Sequence, residues 1–271
     1  MKNNKLQRLK NILSIPTKTW EEDDLIEYII DNTKDFDTLE RDDTGNLYIT
    51  KGNADYYPCF VAHLDSVHEK VEMVVEEEIL PNAQGEHKRA LKAYEKISGE
   101  PTGIGGDDKA GVFICLELLK ELDNCKIFLP IAEETGCHGS KNANPEFFKD
   151  VGYAIQFDST ENNTMSHKLM GVPLYEEKGT FIDKVTDVIL EHGITEWLSH
   201  PYTDTMMLKT KFDFSCLNFA AGYYNYHTKN EYVVVEDVFN AISLAKKVTS
   251  ILGEKKYKFE YTSPSHNFLY S

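Results

Sequence analysis

Five apolar or glycine-rich runs in this 271-residue chain end in carboxylates or imidazoles. Val61-Ala62 ends in His63-Leu64-Asp65, and Gly103-Ile104-Gly105-Gly106 leads into Asp107-Asp108-Lys109. Ile131-Ala132 ends in Glu133-Glu134, Ile155-Gln156-Phe157 ends in Asp158, and a tyrosine-rich segment ends in His227. One such ending is ordinary, because an acid at a strand end usually caps a helix or sits in a solvated loop. Five in succession are hard to explain without a metal. Two imidazoles with three or more carboxylates form a hard, oxygen-rich donor set that suits a pair of divalent ions, Zn2+ first, with Co2+ or Mn2+ also suited. Two such ions outweigh one bridging and two terminal carboxylates by a single charge, which leaves room for one anionic nucleophile. By charge alone Asp107 and Asp108 are equal candidates. Glu133 and Glu134 close an apolar strand, where two free charges would be costly.

For these endings to meet, the runs before them must lie side by side, since sites in open α/β sheets form beyond the carboxyl ends of the strands. Apolar residues at helical spacing predict opening helices over Lys5–Ser14 and Glu21–Asn32, broken at Pro16-Thr17, with Thr19 as cap of the second. Strands are predicted over Asn46–Thr50, Pro58–Ala62 and Val71–Glu77. Leu80–Glu100, rich in charge with Gly and Pro, reads as an excursion over the surface. Helix Ala110–Leu122, strand Lys126–Ala132, short helix Pro145–Lys149, strand Tyr153–Phe157, helix Thr180–Glu191, strand Phe214–Ala221 and helix Glu236–Leu252 then alternate. The alternation predicts an α/β fold, a mainly parallel central sheet with helices on both faces. Residues 1–254 read as one catalytic domain, and 255–271 as a polar, aromatic tail.

Bulk properties exclude several partners. With 41% hydrophobic and 11% aromatic residues the chain can bury a sizeable core. Its formal net charge of −16 repels phosphates, which disfavours nucleic acid and anionic membrane as partners. The amino terminus has Leu6, Leu9, Ile12 and Leu13 at helical spacing, not the ~7–15 residue apolar run of a signal peptide, and nothing later approaches the ~20 apolar residues of a membrane span. Cys59, Cys115, Cys125, Cys137 and Cys216 are scattered and odd in number, which fits a reduced, cytoplasmic setting.

The order of the endings resembles the co-catalytic di-zinc exopeptidases, which include bacterial aminopeptidases, peptidase T and the glutamate carboxypeptidases. The matching pieces are His63-x-Asp65, Gly106-Asp107-Asp108-Lys109-x-Gly111, Glu133-Glu134-x-Gly136, Asp158 and His227-Thr228-x-x-Glu231, most of the chain. Each piece alone is weak; all five in order are specific. The resemblance implies that His63 and Asp158 hold one metal and Glu134 and His227 the other, with Asp107 bridging. It implies Asp65 as the residue that orients His63, and Glu133 as the general base. It also implies a cis peptide after Asp107. Pro201-Tyr202-Thr203-Asp204 resembles a Ser/Thr-Asp motif that relatives carry near the site, which makes Asp204 a candidate contact to a ligand or a substrate amine. His68, His87, His138, His167, His192 and His266 read as surface or loop histidines. Tyr223, Tyr224 and Tyr226 read as packing and rim, although Tyr226 stands where it can polarise a carbonyl.

Relatives insert accessory domains either between the residues matching Asp158 and His227 or between those matching His63 and Asp107. Here both stretches are filled by ordinary elements, so no full accessory lid domain is expected. Without a lid's cationic groups for a C-terminal carboxylate, and with an acidic site facing an α-ammonium, the resemblance implies an aminopeptidase acting on short peptides. A deacylase of N-acyl amino acids or a carboxypeptidase-type amidohydrolase is the nearest alternative. A single-zinc cyclase or binding protein on the same fold is remoter, because it would lack some of these ligands or Glu133.

Overall fold

Near-continuous apolar runs cannot face water on either side, so they pair with one another in the middle of a sheet. The computed structural model describes residues 2–81, 87–200 and 202–260. Its elements in order are α1 (Lys2–Leu13), α2 (Asp23–Asn32), β1 (Thr38–Arg41), β2 (Leu47–Lys51), β3 (Tyr57–Val61), β4 (Met73–Pro81), β5 (His87–Glu95), β6 (Pro101–Thr102), α3 (Gly106–Glu121), β7 (Cys125–Leu129) and α4 (His138–Lys141). After a 3-10 turn at Pro145–Phe148 come β8 (Val151–Ser159), β9 (Thr164–Leu169), β10 (Val172–Pro173), α5 (Ile182–Glu191), β11 (Glu196–His200), α6 (Asp204–Lys211), β12 (Ser215–Ala220), β13 (Tyr223–Tyr224), β14 (Tyr232–Val234) and α7 (Val235–Leu252).

One sheet runs β1-β2-β7-β3-β8-β12-β9-β10, with β11 beside β9. Its centre, β7-β3-β8-β12, is parallel, and β2 and β9 join that centre antiparallel from either side. All four central strands are buried along their whole length. Helix α3 packs on β3, β7 and β8 with α1 and α7 against it, while α6 packs on β8 and β12 beside α4. This is the predicted α/β architecture. No described helix is long and apolar enough to cross a membrane.

Three local expectations are corrected. Leu80–Glu100 is no surface excursion: β4 and β5 form a long antiparallel hairpin, and β5 also pairs with β14 and β6 in a second, five-stranded sheet. The strand signal was masked because the flanking positions carry Lys, Arg and Glu, while Ala90, Leu91 and Ala93 are buried. Cross-strand bonds satisfy those charges, with Lys92 Nζ and Tyr94 Oη each 2.6 Å from the Glu78 carboxylate. Thr19 does not cap α2. Its hydroxyl donates to Asp65 Oδ2 at 2.8 Å, and α2 starts after Glu22 without a side-chain cap. The predicted strand Lys126–Ala132 ends at Leu129, which leaves Pro130–Ala132 to turn toward Glu133. Of the tail, residues 255–260 are described. Tyr257 is buried, with backbone bonds to Gly152 and Ser215. His266 lies outside the described residues.

Candidate metal centre

Each ending is held by backbone groups that find side-chain partners. After β3, His63 turns its Nδ1 to Asp65 Oδ1 at 3.2 Å, which leaves Nε2 pointing away toward Asp107 Oδ1 at 3.0 Å. A carboxylate on one ring nitrogen fixes tautomer and ring plane. Asp65 is fully buried and does more than orient His63. Its two oxygens accept the backbone N–H groups of Glu133 (2.9 Å) and Glu134 (3.2 Å). The two preceding N–H groups are also taken, Ile131 by Asn46 Oδ1 and Ala132 by Glu22 Oε1, both at 3.2 Å. Four consecutive backbone donors thus have side-chain acceptors, and the turn that presents the glutamates is satisfied throughout.

The Asp107 loop is fastened by Glu231, which is buried and accepts the N–H groups of Gly105 (2.8 Å) and Asp107 (3.0 Å). Gly105 sits at φ 63, a left-handed position that favours glycine. The Asp107–Asp108 peptide is cis. Asp108 turns inward, accepting from His63 N at 3.3 Å and Gly111 N at 3.1 Å. A Cβ at Gly111 would lie 2.3 Å from its carboxylate, so only glycine fits there. Asp107, by contrast, lines the cleft. Asp158, at the end of β8, is framed by Asn218, and its carboxylate accepts from Tyr223 Oη (3.2 Å) and Gln156 Nε2 (3.1 Å). The β13–β14 pairing holds the loop that carries His227, whose Nε2 lies 3.1 Å from Glu134 and 3.3 Å from Asp107 Oδ2.

The five predicted ligands therefore converge as two triads that share one residue. His63, Asp107 and Asp158 form one, and Asp107, Glu134 and His227 the other, with donor atoms in each within 4.8 Å of one another. Asp107 turns one oxygen to each imidazole. The cleft above them, about 310 Å3, is also lined by Glu133, Thr160, Tyr202, Thr203, Tyr223 and Tyr226, with no lysine or arginine among its lining residues. Burial pushes the Glu133, Glu134 and Asp158 carboxyls above their ordinary range. The bonds to Asp107 and Glu134 raise His227 to about 10. Burial opposes the charged forms of His63 and Asp107, but their bonds to each other and to Asp65 and His227 outweigh it, raising the imidazole and lowering the acid. An anionic pocket with two imidazoles and no fixed cation is a donor set that fits two divalent ions.

The remaining candidates fall elsewhere. Asp204 is fully buried and lies outside the cleft lining; Gln156 Nε2 spans it and Asp158, at 3.4 and 3.1 Å. Gln156 thus stands between Asp204 and Asp158. Burial raises the Asp204 carboxyl to about 6. His68 is not a bystander on the surface, since its Nε2 lies 2.7 Å from Glu231 Oε2 and steadies the residue that fastens the Asp107 loop. His87, His138, His167 and His192 are absent from the triads and the cleft lining. Tyr223 is a partner of Asp158 and not mere packing, whereas Tyr226 stays on the rim. Glu22, Asn46 and Gln156 carried no motif, and the roles of Glu22 and Asn46 in the Glu133 turn come from partners far away in the chain.

These groups give the metal-free protein a distinct pH dependence. Asp158, Glu133, Glu134 and Asp204 have raised carboxyls, so their stabilising contribution is complete below the ordinary carboxylate range and fades as pH rises through the folded value, about 6 for Asp204. The His227 contribution is complete below its ordinary 6.5 and fades toward about 10. The lowered Asp65 and Asp107 act with the opposite sign, but only below about pH 4. Ion binding needs neutral imidazoles and ionised acids, so it strengthens as pH rises. The melting-temperature gap between ion-loaded and chelator-treated protein should therefore widen from about pH 5.5 to 8, with roughly 2–4 °C for each kcal/mol. A gap that narrows over that range would remove the ions from this cleft.

No family model and no curated sequence matches the chain. Solved structures do. Aminopeptidase PepT from Bacillus cereus superposes with a TM-score of 0.71 at 13% identity, over 92% of this chain and 98% of that one. A tripeptidase from Staphylococcus aureus gives 0.66 at 13%, over 93% and 98%. The TET1 peptidase of Pyrococcus horikoshii, described as assembling into a tetrahedron or a large octahedral shell, gives 0.63 at 16%, over 89% and 98%. The fold of this chain is that of these aminopeptidase and tripeptidase structures.

Proposed function

We propose that the protein is a two-metal aminopeptidase that removes residues from short peptides, with His63 and Asp158 at one ion, Glu134 and His227 at the other, and Asp107 between them. The observation that carries this reading is the pairing of two triads around Asp107 with a buried glutamate, Glu133, that belongs to neither. Two divalent ions, most simply Zn2+, supply Lewis acidity toward a scissile carbonyl and acidify a water. Asp65 holds the His63 ring and, through the Glu133 and Glu134 amides, the strand end itself. Glu133 takes the proton of the attacking water and returns it to the departing amine. Tyr223 and Gln156 hold the Asp158 carboxylate in place.

The lining of the cleft supports the choice of peptide end. The lining offers no lysine or arginine to pair with a C-terminal carboxylate, the group a carboxypeptidase must hold, and so favours a substrate held by its amino end. The solved neighbours named as aminopeptidases and a tripeptidase favour the same class. We also read residues 1–254 as one catalytic unit, and the five free, buried cysteines favour a reducing, cytoplasmic setting.

Dipeptides with a free amine, an acylated amine or an amidated carboxyl, assayed with the ion-loaded protein, test this. Free-amine substrates should be cleaved with or without the amidated end, and N-acylated ones should react at least about tenfold more slowly. Preference for the N-acylated series would transfer the assignment to a deacylase.

A further inference from the structure

Glu133 has a single side-chain donor among the described residues, the thiol of Cys137, whose Sγ lies 3.4 Å from Glu133 Oε1. Both residues are buried. The backbone is folded to make this contact. Gly136 N and Cys137 N both donate to Glu133 O at 2.8 Å, which curls the chain back on the glutamate. Cys137 itself adopts φ 55, ψ 43, the left-handed region. A residue with a Cβ is disfavoured there, and glycine is the usual occupant. The preceding position already carries Gly136 at φ 114, yet position 137 keeps a side chain. A strained position whose side chain touches the proposed base points to a role for that side chain.

The chemistry of the donor matters as much as its place. A cationic donor such as an ammonium would bind an ionised carboxylate strongly and oppose its taking a proton. A thiol is a weak donor that also tolerates apolar surroundings. It can hold one oxygen of this cleft-lining glutamate in a fixed orientation and leave the other free to exchange a proton. Held only by rotamer preference, Glu133 would sample orientations that miss the attacking water, and such misplacement lowers turnover and not substrate binding.

We infer that Cys137 is a positioning residue for Glu133, its S–H bond to Oε1 fixing the carboxylate in the orientation that accepts the water proton. This rests on Glu133 being the base. The test compares Cys137→Ala, Cys137→Ser and Glu133→Gln, singly and as the Cys137→Ala/Glu133→Gln pair, in the full ion-loaded chain with a free-amine dipeptide. Cys137→Ala should lower kcat about five- to tenfold, the size of one neutral hydrogen bond, with KM within about twofold and ion content unchanged. Cys137→Ser keeps a donor and should recover most of that loss. In the Glu133→Gln background Cys137→Ala should add less than about twofold, because the group it positions no longer works as a base. Unchanged kcat in Cys137→Ala, a loss that appears equally in KM or ion content, or a serine variant as slow as the alanine one would each overturn the inference. Undiminished turnover in Glu133→Gln would instead remove the base assignment, an outcome the single cysteine variants do not produce.

Discussion

Replacing Glu133 by Gln should lower kcat by about 10²–10⁴-fold while ion content stays near two per chain. The structure separates Glu133 from its neighbour. Glu134 faces His227 Nε2 at 3.1 Å and belongs to a triad, whereas the Glu133 side chain makes no hydrogen bond to an imidazole among the described residues and belongs to neither triad. Glutamine preserves length and can accept the Cys137 S–H bond, and the Glu133 amide still donates to Asp65, so the turn keeps its anchor. What is lost is a group that can take a proton. Glu134→Gln should behave differently, losing an ion along with activity. Near-normal turnover in Glu133→Gln would place the base elsewhere, and ion loss in that variant alone would require the two glutamates to exchange roles.

The five strand endings were legible because each is a local event, an apolar run switching to an ionic residue, and such switches survive in a bare string of letters. The convergence of His63, Glu133-Glu134 and Asp158 followed once their runs were read as parallel neighbours, whereas Asp107 arrives at the start of α3 and His227 on the β13–β14 loop of the second sheet. The supporting residues were not legible, and the reason is distance along the chain. Glu22 holds the amide of Ala132, 110 positions away, and Asn46 holds that of Ile131, 85 positions away. Glu231 stood in a matching piece, but its role, fastening the Asp107 loop across 124 positions, did not show, nor did its meeting with His68 across 163. No periodicity or short motif encodes such pairs. Thr19 shows the opposite failure: a helix-cap signature was present, but the buried Asp65 carboxylate competed for the hydroxyl and took it. In the β4–β5 hairpin, charged residues that meet across the strands imitated a solvated loop.

Asp107→Ala should abolish binding of both ions, and this is the variant that best tests the shared-residue geometry. Asp107 Oδ1 lies 3.0 Å from His63 Nε2, and Oδ2 lies 3.3 Å from His227 Nε2, so one truncation removes a donor from each triad. Each is left with two protein donors, His63 with Asp158 and Glu134 with His227. Glu134→Ala or Asp158→Ala, in contrast, leaves the other triad whole and should retain about one ion. Activity in Asp107→Ala should fall on the order of 10³-fold or more, since an ion contributes several kcal/mol to the transition state and each 1.36 kcal/mol is tenfold. Folding itself should not suffer in proportion. The Asp107 charge is one of the causes that raise Asp158, Glu133 and Glu134, so its removal relieves repulsion among the buried acids. The same truncation removes the bonds to His63 and His227 that lower the Asp107 carboxyl, so the variant should melt only slightly below the chelator-treated parent, and its melting temperature should not respond to further chelator. Retention of two ions by Asp107→Ala would show that the ions do not share this carboxylate. A variant that loses its ions and also melts well below the chelated parent would show Asp107 to be a structural member of the loop first.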